Sequence, residues 1–236
     1  MIPLLQKNNP IDKEKLENGF VLLIDKDKDW SSFDVVKKVR NTVRIKKVGH
    51  AGTLDPFASG LMILGIGRGT KELTALTALK KKYLVTVRFG VETDSYDRTG
   101  NIIREMASDT LEFNIIEKAL DSFPETFDQI PPMFSAKRVN GKRLYQLARK
   151  GIEVERKPSA VSLYSAEIVS WDNPFLTLIL DVSKGFYIRS FARELGRKVG
   201  TGAIAEELRR LSIAEYTVEN SFKIDEFVSK WKEISK

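Results

Sequence analysis

The chain has 236 residues, 42% of them apolar and 30% charged, a globular balance with enough length for a sizeable core. It holds no cysteine and one histidine, which excludes disulfides, thiolate metal centres and multi-histidine zinc sites. Lysine and arginine number 39 against 32 acidic residues, and the net charge of +7 favours a polyanionic partner, nucleic acid first.

Residues 1–18 lack an apolar secretory core and are expected to form a flexible extension. Residues 20–25 are an apolar run of strand length. Ser31 and Ser32 then offer N-caps to a helix predicted over 33–47. Val35, Val36, Val39 and Val43 lie on its inner face, and Lys37, Lys38, Arg40, Arg44, Lys46 and Lys47 elsewhere. A loop punctuated by glycine and proline spans 49–56. The four glycines of 58–69 invite a phosphate-loop reading, but that motif ends Gly-Lys-Ser/Thr and this one reads Gly69-Thr70-Lys71. Close backbone packing is expected there instead.

Residues 83–89 alternate as a half-buried strand, 93–100 read as a polar turn, and 111–120 have helical spacing. Pro131 and Pro132 bar a helix from 129–133. A short helix is predicted over 143–150, closed by Gly151, and a buried strand over 175–182. Two short helices are predicted over 190–199 and 203–211, separated by Gly200 and Gly202, and a last helix over 222–236. No run approaches the ~18 apolar residues of a membrane span, so a cytoplasmic protein is expected. Strands and helices intermix without regular βα repetition, which favours an α+β (mixed α/β) protein over a doubly wound one.

Three features can carry chemistry. Asp55 sits before Pro56, which restricts its backbone, in a loop whose Gly49 and Gly52 allow close approach of a ligand or of other chain. From spacing alone it is either a turn former or a catalytic carboxylate. Basic residues cluster on 37–47, on Lys80-Lys81-Lys82 and over 137–150, the last beside Tyr145, as a phosphate-tracking surface would require. Ser183-Lys184-Gly185-Phe186-Tyr187-Ile188-Arg189 closes a strand with aromatic and cationic side chains, either a plugged strand exit or a functional tip.

Together these pieces resemble one family. Gly49-His50-Ala51-Gly52-Thr53-Leu54-Asp55-Pro56-Phe57-Ala58-Ser59-Gly60 is similar to the signature of the TruB-type tRNA pseudouridine synthases. Lys82-Tyr83, Ile130-Pro131-Pro132-Met133-Phe134-Ser135-Ala136-Lys137, the segment ending at Arg189, and Leu208-Arg209-Arg210-Leu211 follow in the family's order. The resemblance implies a pseudouridine synthase fold, a largely antiparallel central sheet with flanking helices, as a catalytic domain over 19–217. Residues 218–236 would form a helix or tail too short for the C-terminal PUA domain of many members.

It also implies conversion of a T-loop uridine of tRNA (tRNA position 55) to pseudouridine, without metal or cofactor. Asp55 would be the catalytic carboxylate, Arg189 its paired cation and Tyr83 the ring stacked on the target base. His50 would enter the T loop, and Tyr187 and Leu208 would contact substrate. Beyond the T arm of tRNA no obligate partner is evident, and a monomer is expected. One departure is that the family's Lys-Pro dipeptide and following glycine are replaced by Lys26-Asp27-Lys28-Asp29-Trp30. The rival readings are a catalytically silent RNA-binding or RNA-chaperone protein of the same fold, and a hydrolytic nucleosidase. The nucleosidase would want a second carboxylate beside Asp55.

Overall fold

The computed structural model describes residues 2–8, 13–139 and 141–234. In chain order come β1 (Leu4–Leu5), α1 (Lys13–Leu16), β2 (Gly19–Lys26), α2 (Ser32–Val43), β3 (Val48–His50), β4 (Ser59–Gly67) and α3 (Leu73–Ala78). There follow β5 (Lys81–Phe89), β6 (Val91–Thr93), β7 (Ile102–Glu105), α4 (Phe113–Asp121), β8 (Thr126–Gln129), β9 (Arg138–Val139) and β10 (Lys142–Arg143). The chain ends through α5 (Leu144–Ala148), β11 (Ser159–Asp172), β12 (Phe175–Val182), α6 (Ile188–Lys198), β13 (Ala203–Ile213), β14 (Tyr216–Thr217), β15 (Phe222–Lys223) and α7 (Ile224–Ile234). This is the expected mixed fold, with mostly antiparallel strand pairing. Among the described residues no helix is long and apolar enough to cross a membrane.

Two compact units divide the chain: Met1–Lys82 with Arg209–Lys236, and Tyr83–Leu208. In the first, β2 runs antiparallel to β4 from Gly19 opposite Gly67 to Lys26 opposite Gly60. Every residue of β2 is buried, because apolar layers cover both faces of the sheet. Val21 and Leu23 join Leu61, Ile63, Leu76, Ile213 and Val218 on one face. On the other side of the strand, Phe20 stacks on Trp231 of α7 with ring centres 5.4 Å apart. The glycines of β4 serve close packing: a Cβ on Gly60 would strike the Arg210 backbone, and one on Gly65 would strike the Gly69 backbone.

α2 starts at a capping box, with the Ser31 hydroxyl accepting from the Asp34 amide and the Asp34 carboxylate accepting from the Ser31 amide. It ends at Val43 because Arg44 is left-handed (φ 59°), four residues before the predicted end. Leu4 and Leu5 of the expected extension pair in parallel with Val21 and Leu22, and Leu5 is buried. The chain is therefore anchored across residues 2–8. The rest of that expectation falls partly outside the described residues, as do the last two positions of the predicted C-terminal helix.

In the second unit β11 pairs antiparallel with β12 on one edge and with β8 on the other. β12 is a strand as predicted, but its burial alternates: Leu176, Leu178, Leu180 and Val182 point inward and the intervening residues are partly exposed. Phe123, Phe127, Phe186 and Phe191 form a chain of ring contacts between α4, β8 and α6, with centres 4.9–5.9 Å apart. Such pairs are worth about 0.5–1.5 kcal/mol each beyond their burial.

One predicted helix is a strand. Residues 203–211 have the alanine, glutamate, leucine and arginine content of a helix, yet they form most of β13. The strand alternation is hidden because Arg210 is buried at an inward position where an apolar residue is expected. Its own carbonyl partners, described next, are what permit that.

Candidate active site

Asp55 occupies a loop between β3 and β4 in the first unit, and nearly every backbone group around it is held from a different element. The Ser32 hydroxyl, at the first turn of α2, both accepts from the Leu54 amide and donates to the Leu54 carbonyl, each at 2.9 Å. The Ala58 amide closes a turn on the Asp55 carbonyl at 3.2 Å. The Pro56 carbonyl accepts from the Asp29 amide at 2.8 Å and from the Lys26 ammonium at 3.3 Å. Gly52 has φ 98°, the left-handed side that a side chain resists, and its carbonyl accepts from Arg210 at 3.2 Å. Leu54 and Phe57, on either side of Asp55 in sequence, are buried, while Asp55 itself is half-buried.

Two cations lie wholly inside this unit. Lys26, with no exposed surface, ends β2 and donates to the carbonyls of Trp30 (2.8 Å), Asp27 (2.9 Å) and Pro56. Burial pushes its ammonium down to about 8, against the pull of Asp55 first and then of Asp27 and Asp29. The run Lys26–Trp30, where the chain departs from its family's pattern, thus wraps around the lysine. Arg210, 1% exposed, donates its Nε to Leu61 (2.7 Å) as well as Nη2 to Gly52. Its neighbour Arg209 faces the other way and grips Asp25 in a fork at 2.9 and 3.0 Å.

His50 ends β3 opposite Leu64, five residues before Asp55. Burial, then the charge of Arg210, lowers its imidazole below the ordinary histidine value, while a hydrogen bond with Gly52 opposes them. The ring is therefore neutral at pH 7, and its buried Nδ1 has no hydrogen-bond partner among the described residues.

The other expected site residues belong to the second unit. Tyr83 is a buried, inward residue of β5, and Leu208 is buried on β13. Tyr187 is the N-cap residue of α6, and Gln129 pins its backbone from both sides. The Gln129 carbonyl accepts from the Tyr187 amide (2.7 Å), and its amide donates to the Tyr187 carbonyl (3.0 Å). Arg189 follows in the first turn of α6, where a cation opposes the helix dipole. It is 3% exposed and is compensated by the carbonyls of Phe134 (2.7 Å) and Ser95 (2.9 Å) and by the Asp97 carboxylate (3.4 Å). Asp97 is itself buried and accepts from Ser95 Oγ, Thr99 N and Thr99 Oγ1.

Sequence reasoning missed Asp97 and Gln129. Asp97 lay within the polar turn 93–100, whose alternation of Asp, Ser and Thr around a glycine was the one available signal.

A profile of the TruB family of pseudouridylate synthases, N-terminal domain, matches residues 40–188. The chain belongs to that family. A tRNA pseudouridine synthase B from Clostridium kluyveri is 42% identical over 205 residues, covering 87% of this chain and 71% of the relative. One from Ureaplasma urealyticum is 39% identical over 222 residues, covering 93% and 96%. Among solved structures, a chain of a Cbf5–Nop10–Gar1 complex superposes with a TM-score of 0.72 at 23% identity, over 98% of this chain and 63% of that one. A chain of an H/ACA ribonucleoprotein bound to a substrate RNA containing 2′-deoxyuridine gives 0.69 at 21% identity, over 98% and 62%. The present chain thus spans about three-fifths of those solved chains, and at these identities the likeness is one of fold.

Proposed function

We propose that this chain isomerises a uridine in the T loop of tRNA, at tRNA position 55, to pseudouridine, with Asp55 as the catalytic carboxylate. The observation that carries the reading is the Asp55 loop itself. A signature of the family falls on a half-exposed carboxylate whose flanking backbone is held by Ser32, Lys26, Asp29 and Arg210. A turn former would not need such support, whereas a reacting group must be held to fractions of an ångström.

The reaction breaks the C1′–N1 bond, turns the uracil and joins C1′ to C5. The C5 proton leaves and N1 gains one, so the chemistry is redox-neutral and calls for no electron carrier. The target base must leave its stack to reach Asp55. A neutral His50 can occupy the vacated space without adding a second cation. The carboxylate either attacks the ribose or removes a ribose proton as uracil departs. Both routes require it ionised at the sugar. Water would divert the intermediate to free uracil, and the apolar side chains of Leu54 and Phe57 oppose its entry.

By resemblance to the family in its further segments, Tyr83 stacks on the base, Arg189 pairs with the carboxylate, and Tyr187 and Leu208 contact substrate. The basic segments at 37–47 and 137–150 suit the phosphates of the T arm. The protein acts as a monomer in the cytoplasm, with tRNA as its macromolecular partner.

The test uses tRNA transcripts tritiated at uridine C5. Tritium is released by the native chain and not by Asp55→Asn, while RNA affinity survives. Undiminished release by Asp55→Asn would remove the carboxylate from the mechanism. RNA binding by the native chain without any release would identify a silent RNA-binding protein, and free uracil a hydrolase.

A further inference from the structure

Lys26 and Arg210, the cations of the first unit with at most 1% exposure among the described residues, have no part in the roles assigned above, and a buried charge is costly unless something requires it. Each donates to a carbonyl on one side of Asp55. Arg210 holds Gly52, three residues before it, and Lys26 holds Pro56, the residue after it. Each is also anchored away from the loop, Arg210 on Leu61 of β4 and Lys26 on Asp27 and Trp30. Their charges are felt within one small region: Asp55 is the strongest carboxylate influence on Lys26, Arg210 acts on Lys26, and Arg210 acts on His50. The carboxylates Asp27 and Asp29 face Lys26 from the following loop. Pure packing would be better served by apolar residues, since replacing a buried ion by a well-packed apolar group is often neutral or stabilising.

We infer that Arg210 and Lys26 are positioning residues for Asp55, clamping its loop from both sides through the Gly52 and Pro56 carbonyls and keeping fixed positive charge at that loop. The clamp has a mechanical side and an electrostatic one. Hydrogen bonds to carbonyls on either flank limit how far the Asp55 backbone can shift when RNA enters. Positive charge that is already in place needs no reorganisation during the reaction. Arg189, assigned to the same carboxylate by resemblance to the family, belongs to the other unit. The Arg210–Lys26 pair is therefore the cationic support that Asp55 receives from its own unit, beside the Ser32 and Asp29 bonds.

The inference rests on the proposed role of Asp55, and the experiment separates the two. Arg210→Gln and Lys26→Gln each keep an amide donor but remove a charge. Single-turnover tritium release and RNA affinity are measured for both and for the native chain, at a temperature where circular dichroism shows every variant folded. Expected is a loss of about 100-fold in the single-turnover rate, the scale of a carboxylate displaced by about 1 Å, with RNA affinity unchanged within about threefold. Arg210→Lys, which keeps the charge, recovers part of the rate.

A native single-turnover rate in either folded variant overturns the inference, and so does a loss that appears in affinity instead. Should Arg210→Gln not fold, Lys26→Gln decides alone, because Pro56 keeps its bond to the Asp29 amide. A native chain that releases no tritium would overturn the proposed function instead.

Discussion

Breaking the buried pair of Arg189 and Asp97 is the sharpest perturbation the structure offers. Their side chains are 4% and 5% exposed and their charged atoms 3.4 Å apart. Removing one member of such a pair strands the other charge, typically at a cost of about 3–5 kcal/mol. The lower end applies here. With Asp97→Asn, Arg189 keeps the Ser95 and Phe134 carbonyls, and the Asn oxygen still accepts from Ser95 and Thr99. We therefore expect Asp97→Asn and Arg189→Gln each to destabilise by about 3 kcal/mol. The double variant should be less unstable than the sum by about 2 kcal/mol, because neither charge is then stranded. Equilibrium urea unfolding followed by circular dichroism measures all four corners of the cycle. Additivity within about 0.5 kcal/mol would refute the reasoning, since uncoupled sites behave that way.

Two further outcomes follow from the first unit. Ser32→Ala deprives both the amide and the carbonyl of the buried Leu54 of the Ser32 hydroxyl and should cost about 2 kcal/mol in thermal or urea unfolding, together with part of the turnover. A loss below about 0.5 kcal/mol would mean that water replaces the hydroxyl. Lys26 gives a pH dependence whose sign is fixed by its depressed value. Between about 8 and the ordinary 10.5 the unfolded chain binds the proton and the folded chain does not. Stability attributable to Lys26 must therefore rise with pH through that window and be lowest below 8. Urea midpoints for Lys26→Met should lack this rise. Parallel curves for the native chain and the variant from pH 8 to 10.5 would contradict it.

The elements that were legible in the sequence are those in which one physical signal dominates. The capping serine and valine spacing of α2 and the alternation of β5 need no knowledge of the remaining chain. The glycines of β4 were readable as packing residues because the phosphate-loop alternative fails at Thr70 and Lys71. β11 was not foreseen, although at 14 residues it is the longest strand among the described residues. Its partly exposed face mixes Tyr164 and Val169 with Ser165, Ser170 and Glu167, so neither a polar nor an apolar period stands out.

The failure at β13 is more instructive. Local preference favours a helix, and pairing with distant chain, including Ser59 and Gly60 about 150 residues earlier, makes it a strand. The site shows the same division. Asp55 and His50 stand in one contiguous signature, whereas Lys26, Arg210, Asp97 and Gln129 matter through carbonyls and charges brought to them by distant chain.

The bond from Arg210 to Gly52 spans 158 positions. A ribosome delivers the Asp55 loop early and its Arg210 anchor only after nearly nine-tenths of the chain has emerged. The first unit is made of residues 1–82 and 209–236, so its early portion must wait, with the Ser59–Gly60 end of β4 lacking its β13 partner, while the second unit is synthesised. Contacts of such long separation form late and slow folding. A nascent chain truncated before Arg210 therefore carries the whole signature without its support.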